Sequence, residues 1–198
     1  MPTGGWLPFL YALIVLCGLT GCTGSATRLY VLTPIPAGSG APAAPAEASR
    51  TIGLYPVRLP AYVDRPEIVT RVEASRLHLA ELDHWGEPLG DGFTRILGRD
   101  LGLLLPTSRV AAFPQAFTRV PEYTVSVEVA QLDGALQQDC TLIARWAVAG
   151  KADTDLRADT FIRSAPAGES YATLVAAVSR LIGELAQEIA AGVRGLPQ

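Results

Sequence analysis

Little in this chain is equipped for covalent chemistry. It contains no G-x-S-x-G nucleophile elbow, no P-loop and no G-x-G-x-x-G run, so the common frames for acyl transfer and nucleotide binding are missing. Its two histidines, His78 and His84, stand six apart. That spacing matches neither HExxH nor a common zinc site, and no second Cys/His pair completes a ligand set. No catalytic residue, metal or cofactor is therefore expected. Charge is sparse and mixed, with 16 basic and 19 acidic residues, a net charge of −3 and no block of one sign. Nucleic acid is not an expected partner, because binding phosphates demands a concentrated basic surface. Cysteine is limited to Cys17, Cys22 and Cys140, and aromatic residues make up 7%.

The apolar run from Leu7 to Leu19 is of signal-peptide length and short of the ~20 residues a spanning helix needs. It leads into Leu19-Thr20-Gly21-Cys22, which reads as a lipobox. Small residues before the cysteine let the scissile backbone lie extended, and the Cys22 thiol is the nucleophile that a diacylglyceryl group modifies. Residues 1–21 are then a lipoprotein signal peptide and Cys22 the lipidation site. Met1 to Trp6 carry no Lys or Arg, and a retained signal anchor is the competing reading of the same run. Thr23, not Asp, follows the cysteine, which favours sorting to the periplasmic face of the outer membrane. Each buried CH₂ of a palmitate-type chain is worth ~0.8 kcal/mol, so two or three chains hold a protein firmly without spanning the bilayer.

Removing 21 of the 198 residues leaves 177, a length that suits one compact domain. Residues 22–27 form a lipidated tether and 28–198 the domain, interrupted by a Pro/Ala-rich loop at 34–50. Cys17 leaves with the signal and Cys22 is acylated. The lone thiol of Cys140 then has nothing to pair with and is best kept buried.

Short extended pieces are predicted at Leu29–Leu32, Ile52–Arg58, Ile68–Arg71 and Leu77–Leu82, punctuated by Pro56, Pro60 and Pro66. After Pro88 the period changes. Leu89, Phe93, Ile96, Leu97, Leu101 and Leu104 mark one face of a helix that Pro106 closes. Tyr123, Val125, Val127 and Val129 alternate with polar or small residues, the pattern of a half-buried strand. A turn at Asp133-Gly134 leads to a second alternating set, Cys140 to Val148, with Cys140 and Trp146 on one inward face. Ala158–Arg163 extends this meander after a turn at 150–155. A long amphipathic helix from Tyr171 to Val193 ends the pattern. The fold class is α/β, a mixed and largely antiparallel sheet with two main helices packed against it in a single domain.

Several polar groups invite a functional reading. Asp83, His84 and Glu87 cluster just before or within a helix start, where acidic groups suit the helix dipole anyway. Trp85 and Trp146 sit where elements pack, so core filling competes with ligand stacking. Arg58, Asp64, Arg65 and Arg71 line the proline-rich segment, where they either form a solvated charged face or meet a partner.

Read together, several segments resemble the PqiC-type family of ABC transport auxiliary lipoproteins. They are Leu29-Tyr30-Val31-Leu32-Thr33-Pro34 soon after the cysteine, the stretch from Ile52 to Arg71 with its Leu59-Pro60-x-Tyr62-x-Asp64-Arg65-Pro66 run, Trp85-Gly86-Glu87-Pro88-Leu89, and the closing helix from Tyr171. The resemblance implies a non-enzymatic lipoprotein of the outer membrane that docks a tunnel formed by an MCE-domain protein, in phospholipid transport between membranes and envelope integrity. Arg58, Tyr62, Asp64 and Arg65 are the candidate partner-docking residues. A homo-oligomer would match an annular partner by symmetry. The alternatives are an envelope scaffold and a periplasmic shuttle that carries phospholipid in its own pocket between sheet and C-terminal helix.

Overall fold

The computed structural model describes residues 26–36, 50–105, 109–114, 116, 120–150 and 155–196. Eight strands and two helices run in the order β1 (Arg28–Tyr30), β2 (Thr51–Leu54), β3 (Glu67–Glu73), β4 (Arg76–Trp85), α1 (Leu89–Leu104), β5 (Arg109–Ala112), β6 (Tyr123–Gly134), β7 (Asp139–Gly150), β8 (Asp155–Pro166) and α2 (Tyr171–Arg194). The expected α/β class holds, and the strands divide between two sheets. One has the order β1-β4-β3 and the other β5-β2-β6-β7-β8. The β6-β7-β8 meander is antiparallel, while β2 runs parallel to both β5 and β6, and β1 parallel to β4.

Alternation decides which sheet face is covered. Val125, Val127 and Val129 of β6 and Cys140, Leu142, Ala144, Trp146 and Val148 of β7 are buried, and the paired registers put these side chains on one face. The helices close that face. In α1 the buried residues Leu89, Phe93, Ile96, Leu97, Leu101 and Leu104 recur at helical spacing, and in α2 Leu174, Val178, Leu181, Ile182, Leu185, Ile189 and Val193 do the same. Ser170 begins α2 with a capping box, its hydroxyl accepting from the Thr173 amide while Thr173 Oγ1 accepts from the Ser170 amide. Helix ends leave orphan carbonyls, and here arginines meet them. Arg194 donates to the Leu104 carbonyl at the end of α1, and Arg50 to the Val193 carbonyl at the end of α2, both at 2.8 Å.

Strands β6 and β7 run further than their alternation suggests. Asp133 and Gly134 are the last residues of β6, so the turn falls at 135–138. Asp133 stays in the strand with its side chain held by Arg71 and Tyr62. Pro88 stands one residue before α1, at its N-cap. Asp83, His84 and Trp85 belong to β4 and not to a helix start. The short strand β5 has no alternating pattern and gains its place by parallel pairing with β2. Pro106 and the 151–154 turn lie outside the described residues, as do residues 37–49 of the Pro/Ala-rich loop.

Because β1 pairs within a sheet, that loop is internal to the domain. The residues at its start and just before it strap the helices together: the Thr33 amide donates to Ser179 Oγ of α2 at 3.1 Å, and the Ile35 amide to Asp100 Oδ1 of α1 at 3.0 Å. Gly183 makes room for this strap, since a Cβ there would stand 2.5 Å from Ile35 Cγ2.

Candidate docking site

The proline-punctuated segment begins as a continuation of β2 along β6. The Tyr55 amide donates to Val125 O, the Arg58 amide to Val127 O, and Arg58 O accepts from the Val129 amide. Pro60 then ends the ladder, as it must, and the Pro60 carbonyl accepts from the Val63 and Asp64 amides to form a compact turn. Val63 is buried beneath it.

What holds this turn to the domain is a buried carboxylate. Asp133 of β6, with its side chain 1% exposed, takes a bidentate fork from Arg71 of β3, with Nε to Oδ1 and Nη2 to Oδ2 both at 2.8 Å. The Tyr62 hydroxyl donates to Oδ2 at 2.5 Å and Gln131 Nε2 to Oδ1 at 3.3 Å. Burial pushes Asp133 up, but the bonds from Arg71 and Tyr62 outweigh it and hold the carboxyl below its ordinary range. Burial and the bond to Asp133 push the Tyr62 phenol up to about 12. A second triad repeats the chemistry at the other sheet. Arg28 Nε and Nη2 reach Asp83 Oδ1 and Oδ2 at 2.7 and 2.6 Å, and Tyr30 donates to Oδ1 at 2.7 Å. Asp83 is held low, first by Arg28 and despite burial. Bidentate Arg–carboxylate pairs fix geometry as well as charge, so one triad pins β1 to β4 and the other pins β3 and the Tyr62 turn to β6.

The four candidate docking residues thus separate. Tyr62 turns inward to Asp133, whereas Arg58 and Asp64 are exposed and Arg65 is half-buried. Arg65 Nε donates to Glu67 Oε2 at 2.8 Å, a bond that, more than any other cause, holds Glu67 below its usual range. The backbone of Arg58 pairs with that of Glu128 of β6 in a parallel β-bridge, and Glu128 lines a shallow groove of about 520 Å³ with Ser126, Arg145, Ala147, Ala158 and Thr160. That groove lies on the sheet face the helices leave open. Asp83, His84 and Glu87 are not brought into one site: Asp83 faces Arg28, and Glu87 is paired with Arg95. Among the described residues no three His, Cys, Asp or Glu side chains converge to hold a metal ion. Cys22 lies outside the described residues.

Beneath α2, the cavity bounded by Val63, Ile68, Leu132, Cys140, Leu174 and Val178 amounts to about 20 Å³, room for one water molecule at most. Cys140 is fully buried there, and burial, with Asp133 and Asp139 nearby, pushes its thiol up to about 12. It is therefore a protonated, inert core residue. Trp146 is also core, with its indole N–H satisfied by Glu188 at 2.9 Å, and Trp85 is half-buried against the same core.

A family model described as the ABC-type transport auxiliary lipoprotein component matches residues 30–190, and the chain belongs to that family. It is thereby a member of a family of membrane-anchored periplasmic lipoproteins that act as auxiliary components of ABC transport systems. None of the curated proteins compared matches it significantly. Among solved structures, an uncharacterised protein is similar at TM-score 0.72 and 16% identity, covering 85% of this chain and 99% of its own. A Xanthomonas campestris protein of family DUF330 is similar at TM-score 0.69 and 15% identity, covering 83% and 93%. At such identities these neighbours speak for the fold.

Proposed function

We propose that this protein is a non-enzymatic, outer-membrane-anchored lipoprotein that docks the periplasmic end of an MCE-type tunnel protein in phospholipid transport between membranes. Its anchor is the acylated Cys22, and its docking edge is the turn that carries Arg58, Asp64 and Arg65, with Tyr62 holding the turn from inside. The observation that carries the reading is family membership over residues 30–190 in a domain whose exposed turn is clamped to its core through Asp133. A lipid exposing its chains to water loses ~0.8 kcal/mol per CH₂, so a shielded conduit needs a partner fixed at its far end. The shuttle alternative fares worse, since the cavity that the described residues enclose between sheet and C-terminal helix holds about 20 Å³. An acyl chain does not fit there.

The test is a pulldown of the full-length lipoprotein from native membranes, with intact-mass analysis of its N-terminus, beside a Cys22→Ala control. An MCE-type partner on an acylated chain is the expected result, with the control lost from the membrane fraction. An acylated protein that arrives alone would favour the envelope-scaffold reading. Charge reversal at the turn sharpens this. Arg65→Glu is expected to abolish partner capture while shifting thermal stability little, because its pair with Glu67 is partly exposed and such pairs contribute at most ~1 kcal/mol. Unfolding of that variant would assign Arg65 to the structure.

A further inference from the structure

β1 carries an outward apolar pair that neither the fold nor the docking turn uses. Arg28, with its side chain 63% exposed, and the half-buried Tyr30 both reach Asp83 on one side of the strand, so alternation sends Leu29 and Val31 the other way. Leu29 is 68% and Val31 53% exposed, among only seven large apolar side chains exposed in the described residues. Gly86, itself exposed, lies beside them. A Cβ there would stand 3.1 Å from Val31 Cγ1 and 3.9 Å from Leu29 Cβ, so the residue against the pair adds no side chain of its own.

Its position along the chain says what covers it. Thr23 to Thr27 are the only residues between Cys22 and Arg28, and they span at most ~20 Å when fully extended. A domain of this size is roughly 40 Å across, from a radius of gyration near 16 Å. A tether shorter than the domain's width cannot let β1 face away from the surface its cysteine is anchored to. We propose that Leu29 and Val31 form a membrane-contact patch, resting on the lipid interface and fixing the orientation of the domain. This rests on the lipoprotein reading of Cys22 and adds to it: the acyl chains hold the protein at the bilayer, and the patch sets which way it faces. With β1 against lipid, β1 and β4 form the membrane-proximal side.

The test uses the full-length acylated protein in vesicles of phosphatidylethanolamine and phosphatidylglycerol. Leu29→Cys, Val31→Cys and, as a reference, Ile162→Cys are each labelled with a small fluorophore. Ile162 is similarly exposed, at 56%, but sits on the edge strand of the other sheet. The buried Cys140 thiol does not compete for label. Quenching by spin-labelled lipid is expected to be at least threefold stronger at positions 29 and 31 than at 162, with intact mass showing acylated Cys22 and circular dichroism showing the fold retained. Equal quenching at all three positions, or none at 29 and 31 on acylated protein, would overturn the patch and leave the anchor standing. Protection of 29 and 31 from labelling without lipid quenching would assign the patch to a second copy of this chain, and overturn it too. An unacylated mass would sink the lipoprotein reading and the patch with it.

Discussion

Arg71→Met is expected to lower the unfolding free energy by about 3 kcal/mol at neutral pH, the low end of the cost of breaking a buried ion pair. The substitution keeps the apolar stem and removes the guanidinium, leaving Asp133, with its side chain 1% exposed, to be satisfied by Tyr62 and Gln131 alone. Arg71 itself is about one-third exposed, at 32%, so water reaches one side of the fork and the upper end of the range does not apply. The effect carries a pH signature. In the intact protein Asp133 is held below its ordinary range because Arg71 and Tyr62 overcome the opposing effect of burial. A depressed carboxyl contributes stability that is fully present above its unfolded pKa, near 3.9, and is lost as pH falls through the folded value. Without Arg71 burial dominates and the carboxyl rises, so the variant prefers Asp133 protonated. The stability gap between the two proteins should therefore narrow from pH 7 toward pH 4. Urea unfolding at the two pH values measures this. A gap below 1 kcal/mol at pH 7, or one that widens in acid, would mean that the triad does not hold the Tyr62 turn.

That triad also marks the boundary of what the chain discloses on inspection. The β6 alternation from Tyr123 to Val129, the face shared by Cys140 and Trp146, and the stripe of α2 are legible because each is a local periodicity written over one element. The pair between Arg71 and Asp133 joins residues 62 apart and leaves no local trace. Asp133-Gly134 has turn chemistry, yet long-range bonds to Arg71 and Tyr62 override it and keep the strand straight through Gly134. Asp83 beside His84 suggests an acid–base cluster in one dimension, but in space Asp83 faces Arg28, 55 residues away. The split into two sheets is equally hidden, because it depends on pairings between distant segments, β1 joining β4 in parallel and β2 lying between β5 and β6. Within the candidate site, the charges of Arg58, Asp64 and Arg65 are legible as a surface cluster, whereas the inward turn of Tyr62 follows from a carboxylate that only the fold brings near. In sequence the pair at Leu29 and Val31 reads as ordinary strand. Its outward direction follows only from seeing Arg28 and Tyr30 committed to Asp83.

The largest expected stability change is at Phe93→Ala, because it tests whether the interior is packed core or adaptable space. Phe93 is fully buried, at 0% exposure, on the face of α1 that packs into the core. Deleting a buried phenyl group costs the transfer of its atoms plus a cavity that close-packed neighbours fill only in part, together about 3–5 kcal/mol. For a domain of this length each kcal/mol moves the melting point by ~2–4 °C, so a drop on the order of 10 °C is the expected reading. The same variant weighs a docking domain against a lipid carrier. A carrier's interior must open around acyl chains, and enlarging it should raise lipid occupancy while costing little stability. A packed core responds the other way, losing stability and gaining no ligand. Differential scanning calorimetry of the detergent-solubilised lipoprotein, with native mass spectrometry of the same sample, reads both quantities. A melting point within 2 °C of the parent, accompanied by newly bound phospholipid, would reverse the reading and make the space between sheet and helices a lipid site. A steep loss with no bound lipid would leave the interior a packed core and support the proposal that an exposed turn, and not an internal pocket, meets the partner.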